Sequence, residues 1–135
     1  MLELNLSQNR VCDQGLIKLS GIFEENSCVL TRLVVHSAKI TITGAAQLFD
    51  CLKHNSHLKE LILSDNDLSG SNICKLQILL WNNRDLRKLD FSNCNLGREA
   101  AQVIGEGLYK NQTMTSLNLS GNCLSSSCME SWSSA

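Results

Sequence analysis

Apolar residues recur along this chain with two superimposed periods, a short alternation and a long repeat of about 28 residues. In the long register, leucine-like residues fall at positions 1, 4, 6 and 11 of each copy, and an Asn-like residue falls at position 9. The five copies are Met1-Leu4-Leu6-Asn9-Val11, Leu30-Leu33-Val35-Ala38-Ile40, Leu58-Leu61-Leu63-Asn66-Leu68, Leu86-Leu89-Phe91-Cys94-Leu96 and Met114-Leu117-Leu119-Asn122-Leu124. They begin at residues 1, 30, 58, 86 and 114. So regular a period predicts an open stack of like units, each burying its apolar face against its neighbours. In such a stack, function belongs to a surface rather than to an enclosed pocket.

Within each copy, positions 4 and 6 are apolar and alternate with outward residues, which predicts a short strand. The Asn at position 9 can satisfy backbone groups in the turn that follows, because its carboxamide both donates and accepts. Cys94 is a weak substitute. Ala38 carries no such group, so water or a shifted turn must replace it.

Beyond position 11 the period becomes helical. Leu16, Ala45, Ile73 and Ala101 share one helix face with Leu19, Leu48, Leu76 and Ile104. Phe23, Leu52, Leu80 and Leu108 extend that face, and Met129 with Trp132 begins a fifth helix. Asn26, Asn55, Asn83 and Asn111 stand fifteen residues after position 11 in the four complete copies. Asn readily adopts a left-handed conformation, so these residues are expected to end the helices in that state. Strands stack at about 4.8 Å and helices at about 10 Å, so the array should curve with its strands concave. The expected fold is α/β, a horseshoe arc forming a single array over residues 1–135.

These units resemble leucine-rich repeats of the ribonuclease-inhibitor type, most clearly in LKELILSDNDL, LRKLDFSNCNL, MTSLNLSGNCL and the helical GREAAQVIGEGLYKNQ. Similar arrays occur in the ribonuclease inhibitor, NOD-like receptors, the Ran GTPase-activating protein and ciliary dynein-regulatory-complex proteins. The resemblance implies protein recognition, usually through the concave face or a loop rim. Met1 already occupies the first motif position and the last copy is incomplete. The chain is therefore expected to be a segment or isoform of a longer array, with end-to-end contacts available to its uncapped repeats.

Composition narrows the choice of partner. With 12 basic and 13 acidic residues the formal charge is −1, and no basic stripe suited to nucleic acid appears. No apolar run approaches the roughly 18 residues of a membrane span. Seven cysteines without a C-x-x-C pair, and no signal peptide, suggest a reducing, cytoplasmic setting in which they act as small buried or half-buried residues; the resemblance implies ciliary or cytoskeletal assembly as a variant. The sequons at Asn5, Asn111 and Asn118 are read as chance matches. His54 and His57 lack a converging third ligand in sequence, so no metal or cofactor is expected. Phosphate-loop, serine-hydrolase and zinc-protease motifs are absent, so no catalytic residue is assigned.

Outward strand positions 3, 5 and 7 should tile the concave face. Their candidate contact residues are Arg32, Val34, His36, Glu60, Ile62, Ser64, Lys88, Asp90, Ser92 and Asn118. Position 3 alternates in sign through Glu3, Arg32, Glu60 and Lys88, close enough across strands to pair. Val34 and Ile62 are neighbouring β-branched residues among polar ones and form a candidate hot spot. The expected function is non-enzymatic binding of another protein. Regulation of a small GTPase, or a scaffold role in an innate-immune receptor or ciliary complex, is the alternative.

Overall fold

The computed structural model describes residues 2–24 and 29–122. Five strands alternate with helices: β1 (Glu3–Asn5), α1 (Cys12–Glu24), β2 (Arg32–Val34), α2 (Ile42–Leu52), β3 (Glu60–Ile62), α3 (Cys74–Asn82), β4 (Lys88–Asp90), α4 (Arg98–Lys110) and β5 (Ser116–Asn118). A short 3-10 turn, Ser71–Ile73, leads into α3. The strands form one parallel sheet in chain order, β1 to β5. Equivalent repeat positions lie side by side, as in Arg32↔Glu60↔Lys88 and Val34↔Ile62↔Asp90. Consecutive helices pack on one another along the opposite layer. This is the α/β leucine-rich horseshoe that the two periods predict. The fifth helix foreseen through Met129 and Trp132 lies outside the described residues, as does Asn26.

The core runs between sheet and helices. Leu33, Leu61 and Leu89 of the strands are buried, as are Val35, Leu63 and Phe91 just beyond them. Leu16, Leu48, Leu76 and Ile104 meet them from the helices, and most of the predicted helix face is buried. Each such side chain contributes roughly 2 kcal/mol through removal of apolar surface from water. Phe49 meets Phe91 edge-on, with ring centroids 6.1 Å apart. Asn72, one residue before Ile73 and so also on the face expected from the helical period, is exposed, because α3 begins only at Cys74, after Gly70 turns at φ +129°.

Two asparagine ladders hold the units in register. In the first, the Asn66 carboxamide donates to Val35 O (2.8 Å), Leu63 O (2.9 Å) and Ser64 O (3.2 Å). Its oxygen accepts the amides of Ala38 and Ile40, both at 3.0 Å. Asn122 repeats this toward Phe91 O, Cys94 N and Leu96 N. An asparagine in copy three or five therefore serves the preceding copy as well as its own turn. Where Asn is missing, backbone carbonyls accept instead: Ala38 O accepts from Cys12 N (3.0 Å) and Cys94 O from Leu68 N (2.9 Å), while the Cys94 thiol keeps the donor role toward Leu63 O (3.1 Å). The shifted turn anticipated at Ala38 is visible as a left-handed Lys39 (φ 62°), matched in copy four by Asn95 (φ 56°).

The second ladder corrects the expectation of left-handed asparagines at the helix ends. Asn83 and Asn111 are extended, with φ/ψ of −78°/131° and −86°/133°. The reason lies in the side chain. Asn83 Oδ1 accepts the amides of Asp85 (2.8 Å) and Leu86 (2.7 Å), a geometry that needs an extended backbone. Its amide donates back to Leu52 O (2.7 Å) and Asn55 O (3.0 Å). Asn55 and Asn111 make equivalent bonds. Every copy instead has a left-handed residue at position 8: Gln8, Ser37, Asp65, Asn93 and Gly121.

Candidate functional site

The outward columns of the sheet form a face whose side chains are mostly tied to one another. Arg32 lies between two acids, with its Nη1 2.5 Å from Glu3 and its Nε 2.7 Å from Glu60. Lys88 Nζ stands 3.8 Å from the other oxygen of Glu60. The sign alternation read at position 3 is thus a lateral ladder across β1 to β4. Such partly exposed pairs are each worth about 0–1 kcal/mol in stability. Their larger effect is to hold the charged groups in fixed places.

Position 5 divides into two kinds. Asn5, Asp90 and Asn118 fold over their own strand ends, each accepting the amide two residues on, from Ser7 (3.0 Å), Ser92 (2.9 Å) and Ser120 (3.0 Å). Val34 and Ile62 cannot do this. Val34, expected to face solvent, is only 7% exposed. It sits in register between Asn5 and Ile62, and its strand neighbours Arg32 and His36 are tethered on either side. Ile62 remains partly exposed, so the apolar hot spot narrows to that one residue.

At position 7, His36 Nδ1 lies 2.8 Å from Ser64 Oγ and 3.2 Å from Asp65 Oδ2. Both neighbours address the same ring nitrogen, so the trio is not a hydrolase relay, in which base and acid functions use opposite nitrogens. Ser64 itself is buried at 7% exposure. Ser92 is half-buried and donates its hydroxyl to Asp90 (2.7 Å). Asn118 is exposed at the end of the sheet.

Of the ten candidate residues, the structure brings Arg32, His36, Glu60, Ile62, Lys88 and Asp90 onto one accessible surface. Val34 and Ser64 support that surface from beneath. Sequence reading missed two groups on its borders. Arg84 and Arg87 are exposed on the helix-to-strand side and make no ion pair among the described residues. Asp65 and Asp67 are exposed on the turn side. Hydrogen bonds from Ser69 and Asn95 lower the Asp67 carboxyl below its usual range, keeping it ionised. Extending the column reading to positions 2, 8 and 10 would have found Arg87, Asp65 and Asp67, whereas Arg84 lies two residues ahead of the motif.

Elsewhere the surface offers less organised chemistry. A cleft of about 260 Å³ opens between the turns of copies three and four, beside Gly70, Asn95 and Gly97, away from the strand columns. Cys51 and Cys94 are buried, as expected, whereas Cys12 and Cys74 are exposed at the first residues of their helices, where side chains point outward from the core. Cys28, Cys123 and Cys128 lie outside the described residues. Among the described residues no three His, Cys, Asp or Glu side chains converge as metal ligands. No described helix is long and apolar enough to cross a membrane.

Comparison with known proteins agrees with this architecture. A family model described as "Leucine Rich repeat" matches residues 1–20, 54–71, 82–105 and 110–130. Human NACHT, LRR and PYD domains-containing protein 5 is 31% identical over 120 residues, which is 88% of this chain and 10% of that protein. The ribonuclease inhibitor of Sus scrofa is 32% identical over 123 residues, 90% of this chain and 27% of the inhibitor. The chain thus spans only a minor part of the length of either relative. Among solved structures, leiomodin-1 actin-binding site 2 superposes with a TM-score of 0.82 at 20% identity, over 99% of this chain and 78% of that one. The Caenorhabditis elegans tropomodulin C-terminal domain gives 0.79 at 13% identity, over 99% and 81%. At those identities the two structures speak to the fold alone.

Proposed function

Because this chain belongs to the leucine-rich repeat family, in the ribonuclease-inhibitor form of the repeat, we propose that it is a non-enzymatic recognition module binding a protein partner through its concave sheet. One observation carries the reading: the ladder Glu3–Arg32–Glu60–Lys88 fixes charged groups around the partly exposed Ile62 before any partner arrives. A surface ordered in advance loses little conformational entropy on association. The contact set is Arg32, His36, Glu60, Ile62, Lys88 and Asp90, with Ile62 at its centre. Family members and the inhibitor relative are typically binding modules, which fits an absence of catalysis.

The burial of Val34 decides the test. Placing a carboxylate there would unfold the sheet, so the informative variant is Ile62→Asp combined with Lys88→Glu. Partner capture is compared between wild type and variant by quantitative mass spectrometry, with thermal melting as the control for folding. Loss of the proteins captured by wild type, at an unchanged melting temperature, is the expected outcome. Equal capture by a folded variant would remove the concave face from consideration.

A second reading makes the chain an arc of a larger receptor. It is favoured by the 31% identity over 88% of the chain with a NACHT, LRR and PYD protein. Under it the sheet would face another part of the same assembly. Cross-linking in native extract would then join Lys88 or Lys59 to a segment of the same polypeptide rather than to a separate protein.

A further inference from the structure

The charges on and beside the concave face that lack a close partner of fixed opposite charge are sorted by side. On the helix-to-strand border of copies three and four stand Arg84, Arg87 and Lys88. The first two make no ion pair among the described residues, and Lys88, with its side chain 54% exposed, has only the 3.8 Å contact to Glu60. Lys59 on the same border is neutralised by Asp85 at 3.3 Å. Toward the turn border stand Asp65 and Asp67, and Asp90 shares the middle column with Ile62. Asp67 and Asp90 are held by Ser69, Asn95 and Ser92, which are neutral. Asp65 faces His36, which is a cation only when protonated. Ile62 lies between the two borders, in register with Asp90.

From this sorting we infer the chemistry of the partner: an extended polypeptide segment with an acidic side chain, then an apolar one, then a basic one, on a single face. The inference rests on the concave-face reading above. Its spacing follows from strand geometry. Side chains on one face of an extended chain recur every second residue, at about 6.6 Å, the same step that separates positions 3, 5 and 7 of the sheet. An acid at residue i then lies over Lys88, an apolar group at i+2 over Ile62 and beside Asp90, and a base at i+4 reaches Asp65. A segment running the opposite way satisfies the same contacts with base first. Two like charges do not. They would meet one complementary border and one repulsive border, and repulsion of this kind rejects wrong partners more strongly than attraction rewards right ones.

The test is selection of a randomised pentapeptide display library on the folded chain at low ionic strength, followed by sequencing. Enrichment of opposite charges four residues apart around an apolar centre is the expected result. Synthetic Glu-Ser-Leu-Ser-Lys should then bind about tenfold more tightly than Glu-Ser-Leu-Ser-Glu or Lys-Ser-Leu-Ser-Lys by fluorescence polarisation. In Lys88→Ser the preference for the acid should fall, and in Asp65→Asn/Asp90→Asn the preference for the base. Enriched peptides lacking the opposite-charge pattern overturn the inference. If those peptides also lose binding to Ile62→Asp, the concave-face reading stands and only the polarity is wrong. If they bind Ile62→Asp as well as wild type, both fail, and a library with no enrichment counts against both.

Discussion

Copies three and five of the repeat place Asn at position 9, whereas copies two and four place Ala38 and Cys94 there, and the two kinds of turn are held by different groups. Asn66 and Asn122 supply carboxamides that satisfy their own turns and the amides of the copy before. Ala38 and Cys94 offer backbone carbonyls, to which Cys94 adds a thiol donor toward Leu63 O, from turns that admit a second left-handed residue, Lys39 or Asn95. Neither kind is complete alone. The structural unit of this array is therefore a pair of unlike repeats, and the missing Asn at Ala38 is compensated from the neighbouring copy. Departures from the repeat on the buried side serve stability, and those on the concave side are free to serve a partner.

That contrast can be attacked first at its strongest point. Asn66→Ala removes five hydrogen bonds from a residue 4% exposed and leaves buried amides and carbonyls without partners. It should cost about 3 kcal/mol in urea denaturation. Asn9→Ala, at an exposed turn, should cost only about 0.5 kcal/mol. Equal losses at the two sites would mean that the carboxamides do not bridge copies. A smaller contrast concerns position 10. Asp67→Gly, where the residue caps its turn and φ is ordinary, should cost about 1 kcal/mol. Lys39→Gly relieves a left-handed lysine and should gain about 0.5 kcal/mol. Opposite signs by thermal melting would confirm the two turn types.

A last effect, absent near neutral pH, is a pH dependence. Burial pushes the Cys94 thiol from 9.0 up to about 11, and burial together with the Glu24 carboxylate does the same to Cys51. Between those values the folded chain binds more protons than the unfolded one. Stability from these thiols is therefore complete below about pH 9 and falls as pH rises toward 11. Cys94→Ala should flatten that decline without removing it, because Cys51 contributes in the same direction. A decline of undiminished slope in the variant would count against the buried thiol as its source.

Much of the fold was legible because two periods carried it. Leu33, Leu61 and Leu89 announce the strands, and Leu16, Leu48, Leu76 and Ile104 the helices, and nearly all are buried as expected. The turns were harder to read. Asn83 and Asn111 were expected in a left-handed state, yet their side chains make a stronger set of bonds from an extended backbone. A left-handed residue recurs at position 8, where Gln8 and Ser37 give little sign of it beside Asn93 and Gly121. Alternation correctly placed Val34 on the outer face, but alternation says nothing of what neighbouring strands cover. The tethering of Arg32 and His36, which narrows the apolar spot to Ile62, appears only once the strands are side by side.

The most direct test of recognition through the concave sheet compares wild type with Ile62→Asp/Lys88→Glu for quantitative partner capture at matched melting temperature. The variant should unfold within about 1 kcal/mol of wild type, since both substitutions lie on the outer surface, and capture none of its partners. A variant that stays folded and captures the same partners in the same amounts would contradict it.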